Sequence, residues 1–200
     1  MLKEVTVKKI EDCPNPKFSK VQLVTAERDG KEFPWEISPG ADTVHIAVFN
    51  TDTEKFLLVK QVRVPVLIND PATKGIVVEC CAGLVDKDKP VEQIAIEEVE
   101  EELGYRVQPD NIFEFYTIKQ SVGKSGITSH LFMAEVSNAD KVSDGGGTDS
   151  EDIEIVEVQD VEIMKYLLSV TTDATTMALS VLASNIQMAK SLEMAKEMLQ

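Results

Sequence analysis

The stretch Gly83 to Tyr105, GLVDKDKPVEQIAIEEVEEELGY, decides how the rest of the chain is read. Pro90 suits a first helical position, Asp88 stands where it can cap, and Gly104 stands where a helix ending in left-handed geometry places its glycine. The pattern predicts a helix over about 90–103. At about 100° per residue Val91, Ala95, Val99 and Leu103 form one apolar stripe, and Glu98, Glu101 and Glu102 fall beside it within roughly 100° of arc. That edge lies where a core-packed helix meets a cleft.

Like charges three or four residues apart each cost a few tenths of a kcal/mol, and acids in a last turn oppose the helix dipole by roughly 0.3–1 kcal/mol each. Left alone, Glu97, Glu98, Glu100, Glu101 and Glu102 destabilise their own helix. Charge runs are commonly solvated faces. The alternative is a hard divalent cation such as Mg²⁺, which takes one or two carboxylates plus phosphate and water oxygens.

In its glycines, turn, helix and glutamate spacing the segment resembles the Nudix box. The pattern is Gly, five residues, Glu, seven residues, Arg-Glu, an apolar residue, any residue, Glu-Glu, any residue, Gly and an apolar residue. Counted from Gly83 it holds without a gap, with Val99 on the apolar position and Gly104-Tyr105 closing. The resemblance implies that Glu98, Glu101 and Glu102 bind Mg²⁺, with Mn²⁺ as the alternative, and that the Ala82 carbonyl joins them. Two positions depart: Lys89 stands for the family's Glu, and Glu97 for its Arg. Because the charges are exchanged reciprocally, an ion pair of reversed polarity is expected between them.

A chain of 200 residues with 43% hydrophobic content fills one core, so a single globular domain over 41–200 with an N-terminal segment over 1–40 is expected. There is no apolar run long enough for a membrane span and no signal-peptide h-region. Cys13, Cys80 and Cys81 are an odd set without metal-ligand spacing, which reads as reduced thiols in a cytoplasmic protein. The net charge of -15 disfavours nucleic acid and anionic membranes as partners. A small phosphorylated ligand held through a cation remains compatible with it.

Val21 to Glu27 and Lys31 to Trp35 read as strands joined by the hairpin turn Asp29-Gly30. Trp35 has two readings, stacking on a ligand's base or packing in a core or interface. Thr43 to Phe49 and Phe56 to Val59 read as paired central strands, and Ile76 to Cys81 as a buried strand after a turn-rich loop over Asn69 to Gly75. His45 reads as a packed residue. Ile112 to Ile118, Ser129 to Val136 and Ile153 to Val158 read as further strands. Val161 to Ser169 and Thr172 to about Gln200 read as helices, the second capped by Thr172 or Asp173 and striped by Met177, Val181, Leu182, Ile186, Ala189 and Leu192. By composition alone Ser137 to Asp152 is a flexible acidic linker.

Blocks outside the box resemble the ADP-sugar and UDP-sugar pyrophosphatase branch of the family. Lys60-Gln61-Val62-Arg63 is similar to the stretch in which that branch carries a diphosphate-binding Arg, and a guanidinium fork suits phosphate oxygens. Glu79, an acid within IVVECC, is implied to lie near the metal and substrate. In the loop QSVGKSGIT, Lys124 is implied as a pyrophosphate contact, with solvation its other reading. The run GGG followed by EDIEIVEV resembles a closing loop bearing the general base, for which Glu151 is the first choice and Asp149 the second.

The resemblance therefore implies an α/β/α sandwich with a mixed sheet, an N-terminal hairpin forming a homodimer, and hydrolysis of a nucleoside-diphosphate sugar. UDP-glucose-like substrates come first and ADP-ribose second. A rival of another class, suggested by Lys89 and Glu97, is a catalytically weak domain that binds nucleotide sugars or a protein. A Ser/His/Asp hydrolase has no support, because His45 and His130 lie near no nucleophile motif.

Overall fold

Thr43 to Asn50 alternates side chains between two apolar environments, and that alternation sets the layers. A computed structural model describes residues 1–17, 19–148 and 151–198, with side chains described to 191. Strand β3 (Thr43–Asn50) sends Val44, Ile46 and Val48 to one face and Ala47 and Phe49 to the other. On the first face they meet Ile94, Ala95, Val99 and Leu103 of the box helix; on the second, Ile163, Leu167, Leu179 and Ala183 from the C-terminal helices. Strand period 2 thus yields helices on both sides of one sheet.

The hairpin β1 (Gln22–Arg28) and β2 (Lys31–Ile37) forms a separate two-stranded sheet turned by Asp29 and Gly30 at φ 52° and 76°. The main sheet has seven strands: β3, β4 (Lys55–Val62), β5 (Ile76–Glu79), β6 (Cys81–Leu84), β7 (Ile112–Lys119), β8 (Thr128–Val136) and β9 (Glu154–Gln159). β3 and β8 run parallel, and the other pairings are antiparallel. The sheet is mixed, as expected.

One strand expected over Ile76 to Cys81 is two. β3 pairs with β4 only through Val48–Asn50, while its Thr43–Ile46 half pairs with β6 and the Val59–Val62 half of β4 pairs with β5. The chain changes neighbours at Cys80, whose amide leaves the ladder and donates to Thr176 Oγ1 at 3.0 Å. A buried N–H needs a partner, and here a side chain from another element supplies it. Cys80 and Cys81 point into opposite cores, and no disulfide joins the described cysteines.

Two helical segments differ from expectation. α1 (Val64–Asn69) falls between the Lys60–Arg63 strand end and the loop expected from Asn69, where no element was expected, and is started by Pro65 in its first turn. After α3 (Ile163–Leu167), α4 (Ala174–Met198) is capped by Asp173, whose Oδ1 accepts from the Thr175 and Thr176 amides at 2.7 and 3.1 Å. Its buried face is Thr176, Leu179, Ser180, Ala183 and Gln187, whereas Val181 and Leu182 are 37% and 41% exposed and Ala189 is exposed. Met177 and Ile186 of the expected stripe do pack against this core, but small and hydroxylic residues fill the rest of the buried face because α4 packs closely on the sheet, so hydropathy misplaced Val181, Leu182 and Ala189. The Leu192 side chain lies outside the described side chains.

Candidate active site

The acids rest on a helix with two kinds of turn. α2 (Val91–Glu98) is α-helical, and Val99–Leu103 continues it as a π-helical turn ending on Gly104 at φ 78°. Pro90 is the N-cap rather than the first helical residue, and no side chain, Asp88 included, caps this end. At the other end the 145–147 glycines replace the missing helical partners. Gly146 N–H donates to Glu102 O at 2.9 Å and Gly147 N–H to Glu101 O at 3.0 Å, and Val142 N–H reaches Gly104 O at 2.8 Å. Helix ends leave carbonyls without intrahelical donors, and this loop supplies them. The stretch expected to be a flexible linker is therefore docked on the acidic helix.

Glu98, Glu101 and Glu102 open into a cleft of about 550 Å³ that also takes in Ala82, Gly83, Arg63 and Glu151. Gly83 is required by close approach, since a Cβ there would collide with the Glu98 side chain. Glu102 is buried, and its Oε2 accepts the Ala82 amide at 3.0 Å. Burial raises its pKa to about 7, against bonds from the Cys81 thiol and the Ala82 amide that lower it. Burial, then the neighbouring charge of Glu101, likewise raises Glu98 to about 7, with Lys87 opposing. Glu151 adds to both shifts, so its charge falls on the same acids.

This donor set fits a hard divalent cation: it is all oxygen, half-buried and mutually repelling. Among the described residues no three His, Cys, Asp or Glu side chains converge tightly enough to form a closed metal cage. An open set of carboxylates is what a cation sharing its coordination with phosphate and water requires.

Arg63 follows β4 directly, and its Nε donates to Glu79 Oε2 at 2.8 Å. Glu79 does not line the acidic cleft; it lines an adjoining cavity with His45, Gln120 and Asp173. Its structural role is to hold the guanidinium, and that explains an acid within a buried strand. Glu151 Oε2 accepts the Thr148 amide at 2.9 Å and the Thr148 hydroxyl at 3.3 Å, which fixes the carboxylate at the cleft. Asp149 lies outside the described residues.

Residues 40–177 match the model of the NUDIX domain. The chain belongs to the Nudix family. It is 36% identical over 138 residues to a GDP-mannose pyrophosphatase of Cronobacter sakazakii, covering 67% of this chain and 69% of that protein. It is 30% identical over 156 residues to the uridine diphosphate glucose pyrophosphatase NUDT14 of Bos taurus, covering 66% and 70%. The fold is similar to that of a crystal structure of an ADP compounds hydrolase, with TM-score 0.71 and 17% identity over 95% of this chain and 97% of that one. This Nudix protein is accordingly a hydrolase of diphosphate bonds.

Against the Nudix pattern, Lys89 and Glu97 do meet: Lys89 Nζ lies 2.7 and 2.9 Å from the two Glu97 oxygens. Trp35 and Lys124 are brought together elsewhere. Trp35 Nε1 donates to Gly123 O at 3.0 Å and Ser38 N–H to Lys124 O at 2.9 Å, so hairpin and loop meet outside the residues lining the acidic cleft.

His45, Lys87 and Gln120 are among the cleft residues that escaped sequence reasoning. His45 Nε2 sits 3.2 Å from Thr43 Oγ1 and 3.3 Å from Gln120 Nε2, and burial lowers its pKa. Lys87 lines the cleft between Glu97 and Glu101. For His45 the available signal was Thr43 and His45 at spacing 2 on one strand face; for Lys87 and Gln120 the sequence holds none.

Proposed function

We propose that this Nudix cleft hydrolyses the diphosphate of a nucleoside-diphosphate sugar, giving a nucleoside monophosphate and a sugar 1-phosphate. The observation that carries the proposal is that Arg63, Glu151 and the three box glutamates line one cleft. The GDP-mannose and UDP-glucose activities in the relatives' names favour a sugar nucleotide, with UDP-glucose-like substrates first and ADP-ribose as the alternative.

Glu98, Glu101 and Glu102, with the Ala82 carbonyl, would hold Mg²⁺ or Mn²⁺. When bound, such an ion supplies positive charge to the phosphate oxygens and acidifies water. Arg63, oriented by Glu79, grips the non-bridging oxygens of one phosphate through its fork. Glu151, oriented by Thr148, takes a proton from the attacking water as that water's oxygen bonds to phosphorus and the bridging oxygen departs. The docked glycine loop keeps Glu151 within reach of the box.

Residues 1–40 are proposed as a dimerisation segment ahead of the catalytic part at 41–200. Leu23, Val24 and Trp35 are exposed on the hairpin, which supports a homodimer, and Trp35 and Lys124 are proposed to complete the substrate site there. The described cysteines are all free, which suits the cytoplasm, and no described helix is long and apolar enough to cross a membrane.

The test is turnover of UDP-glucose, GDP-mannose and ADP-ribose with Mg²⁺, followed by ³¹P NMR, in the intact protein and in E101Q. Hydrolysis lost in E101Q supports the proposal. Binding of these compounds without turnover in the intact protein replaces it with the binding-module reading.

A further inference from the structure

We infer that Lys87 is a substrate-contact residue, an ammonium that Glu97 holds over the cleft to bind the non-bridging oxygens of the diphosphate. The inference rests on the diphosphate reading above and adds a group that the family pattern does not contain.

Two lysines converge on Glu97, and they are not equivalent. Lys89 makes direct bonds of 2.7 and 2.9 Å to both Glu97 oxygens and neutralises that carboxylate. Lys87 Nζ lies 3.5 Å from Glu97 Oε2 and 4.0 Å from Glu101 Oε1. Those separations give electrostatic attraction without consuming its N–H donors, of which an ammonium has three. Its side chain is 38% exposed, so the charge is held at the cleft and still open to a ligand.

Polarity at position 97 decides whether this is feasible. An Arg there, as in the family pattern, would repel an ammonium at 87. Glu97 attracts it, so the reciprocal exchange with Lys89 preserves one ion pair and recruits a second cation. The charge balance makes that cation useful. Among the described residues lining the cleft, Asp86, Glu98, Glu101, Glu102 and Glu151 are acids, whereas Arg63 and Lys87 are the strong cations. Arg63 already gives its Nε to Glu79. A diphosphate diester brings two more negative charges, and Lys87 is the cation standing beside the acids.

The experiment measures binding of imidodiphosphate to the full chain in EDTA by calorimetry, Mn²⁺ affinity by EPR titration, and kcat and KM on the substrate panel. The variants are K87M, K87R, E97Q and K87M/E97Q. A charge-assisted contact to phosphate predicts about a tenfold weaker imidodiphosphate Kd in K87M and a similar rise in KM, with kcat and Mn²⁺ affinity little changed. K87R retains most of the affinity. E97Q loses part of it, and K87M/E97Q is no worse than K87M, because Glu97 acts through Lys87. A wild-type Kd in K87M, a change in Mn²⁺ affinity as large as the change in KM, or no imidodiphosphate binding by the intact protein overturns the inference. Lys87-dependent binding by a protein that turns over no compound in the panel would instead leave Lys87 in place and remove the hydrolase reading.

Discussion

Glu97 receives Lys89 through both of its carboxylate oxygens, at 2.7 and 2.9 Å, and Gln93 Nε2 adds a third contact at 3.3 Å. The pair spans the loop before α2 and the helix itself, so it ties the mouth of the cleft to the element that carries the acids. Both side chains are partly exposed, and such pairs contribute little to global stability. K89E and E97K are each expected to lower the urea midpoint slightly, by placing like charges together, and the K89E/E97K double variant to recover it. The double variant is also expected to keep a raised KM, because Lys87 then faces a lysine. Chemical denaturation and steady-state kinetics on the same samples check both halves.

The metal-free acids set a pH dependence of stability. Glu98 and Glu102 are raised from an ordinary 4.5 to about 7 in the fold. Between those values the folded protein binds more protons than the unfolded chain, so stability falls as pH rises through this window. In EDTA the thermal midpoint is expected to be lower at pH 8 than at pH 5.5 through these groups, and E98Q to flatten that slope. Mg²⁺ is expected to raise the midpoint more at pH 8 than at pH 5.5, since binding requires the carboxylates deprotonated. Thermal scans at both pH values, with and without Mg²⁺, decide it.

Glu79 holds Arg63 by a 2.8 Å bond, so the two are expected to fail together. R63A is expected to lower kcat/KM by about 10- to 100-fold, the loss of a charge-assisted contact of roughly 1.5–3 kcal/mol. R63K recovers little, because an ammonium lacks the planar fork. E79Q raises KM in the same direction by a smaller factor, and R63A/E79Q falls short of the product of the single effects. Kinetics on the preferred substrate read this directly.

The glycine loop is expected to be intolerant at Gly145, which has φ +64° and whose added Cβ would stand 2.5 Å from Glu102 O. G145A is expected to cost at least about 1 kcal/mol and to lower kcat, because displacing the loop moves Glu151. Urea unfolding and kcat separate the two effects.

The Thr176 hydroxyl is the partner of the buried Cys80 amide where the chain changes strands. T176V keeps the shape and removes the acceptor, so an unsatisfied N–H costing about 1–3 kcal/mol is expected. Hydrogen exchange at Cys80 should accelerate along with the loss of stability.

The acidic helix, its closing glycine, the turn residues of the hairpin and the alternation along β3 were legible because each is a local property. Spacing places Glu98, Glu101 and Glu102 on one side of any helix that Gly104 ends, and reciprocal charges at 89 and 97 suffice to expect their pairing. The acids alone raise the question of a cation. Composition misread Gly145 to Gly147 as a linker, because what orders them is the set of carbonyls left open at the end of a distant helix, Glu101 and Glu102 among them. It misplaced part of the α4 stripe for a related reason, although Met177 and Ile186 do pack against the core. Ala183 and Ser180 face the sheet because helix and sheet approach closely, whereas Val181 and Leu182 stay outside.

What the sequence determined by itself was the set of elements and the chemistry each carries, since periodicity, capping and charge act over a few residues. The tertiary structure alone decided which of those chemistries meet. It turned Glu79 onto Arg63, divided one strand into two at Cys80, and stood Lys87 over the acids. These pairings join residues far apart in the chain or depend on how a loop is held, and only packing fixes them.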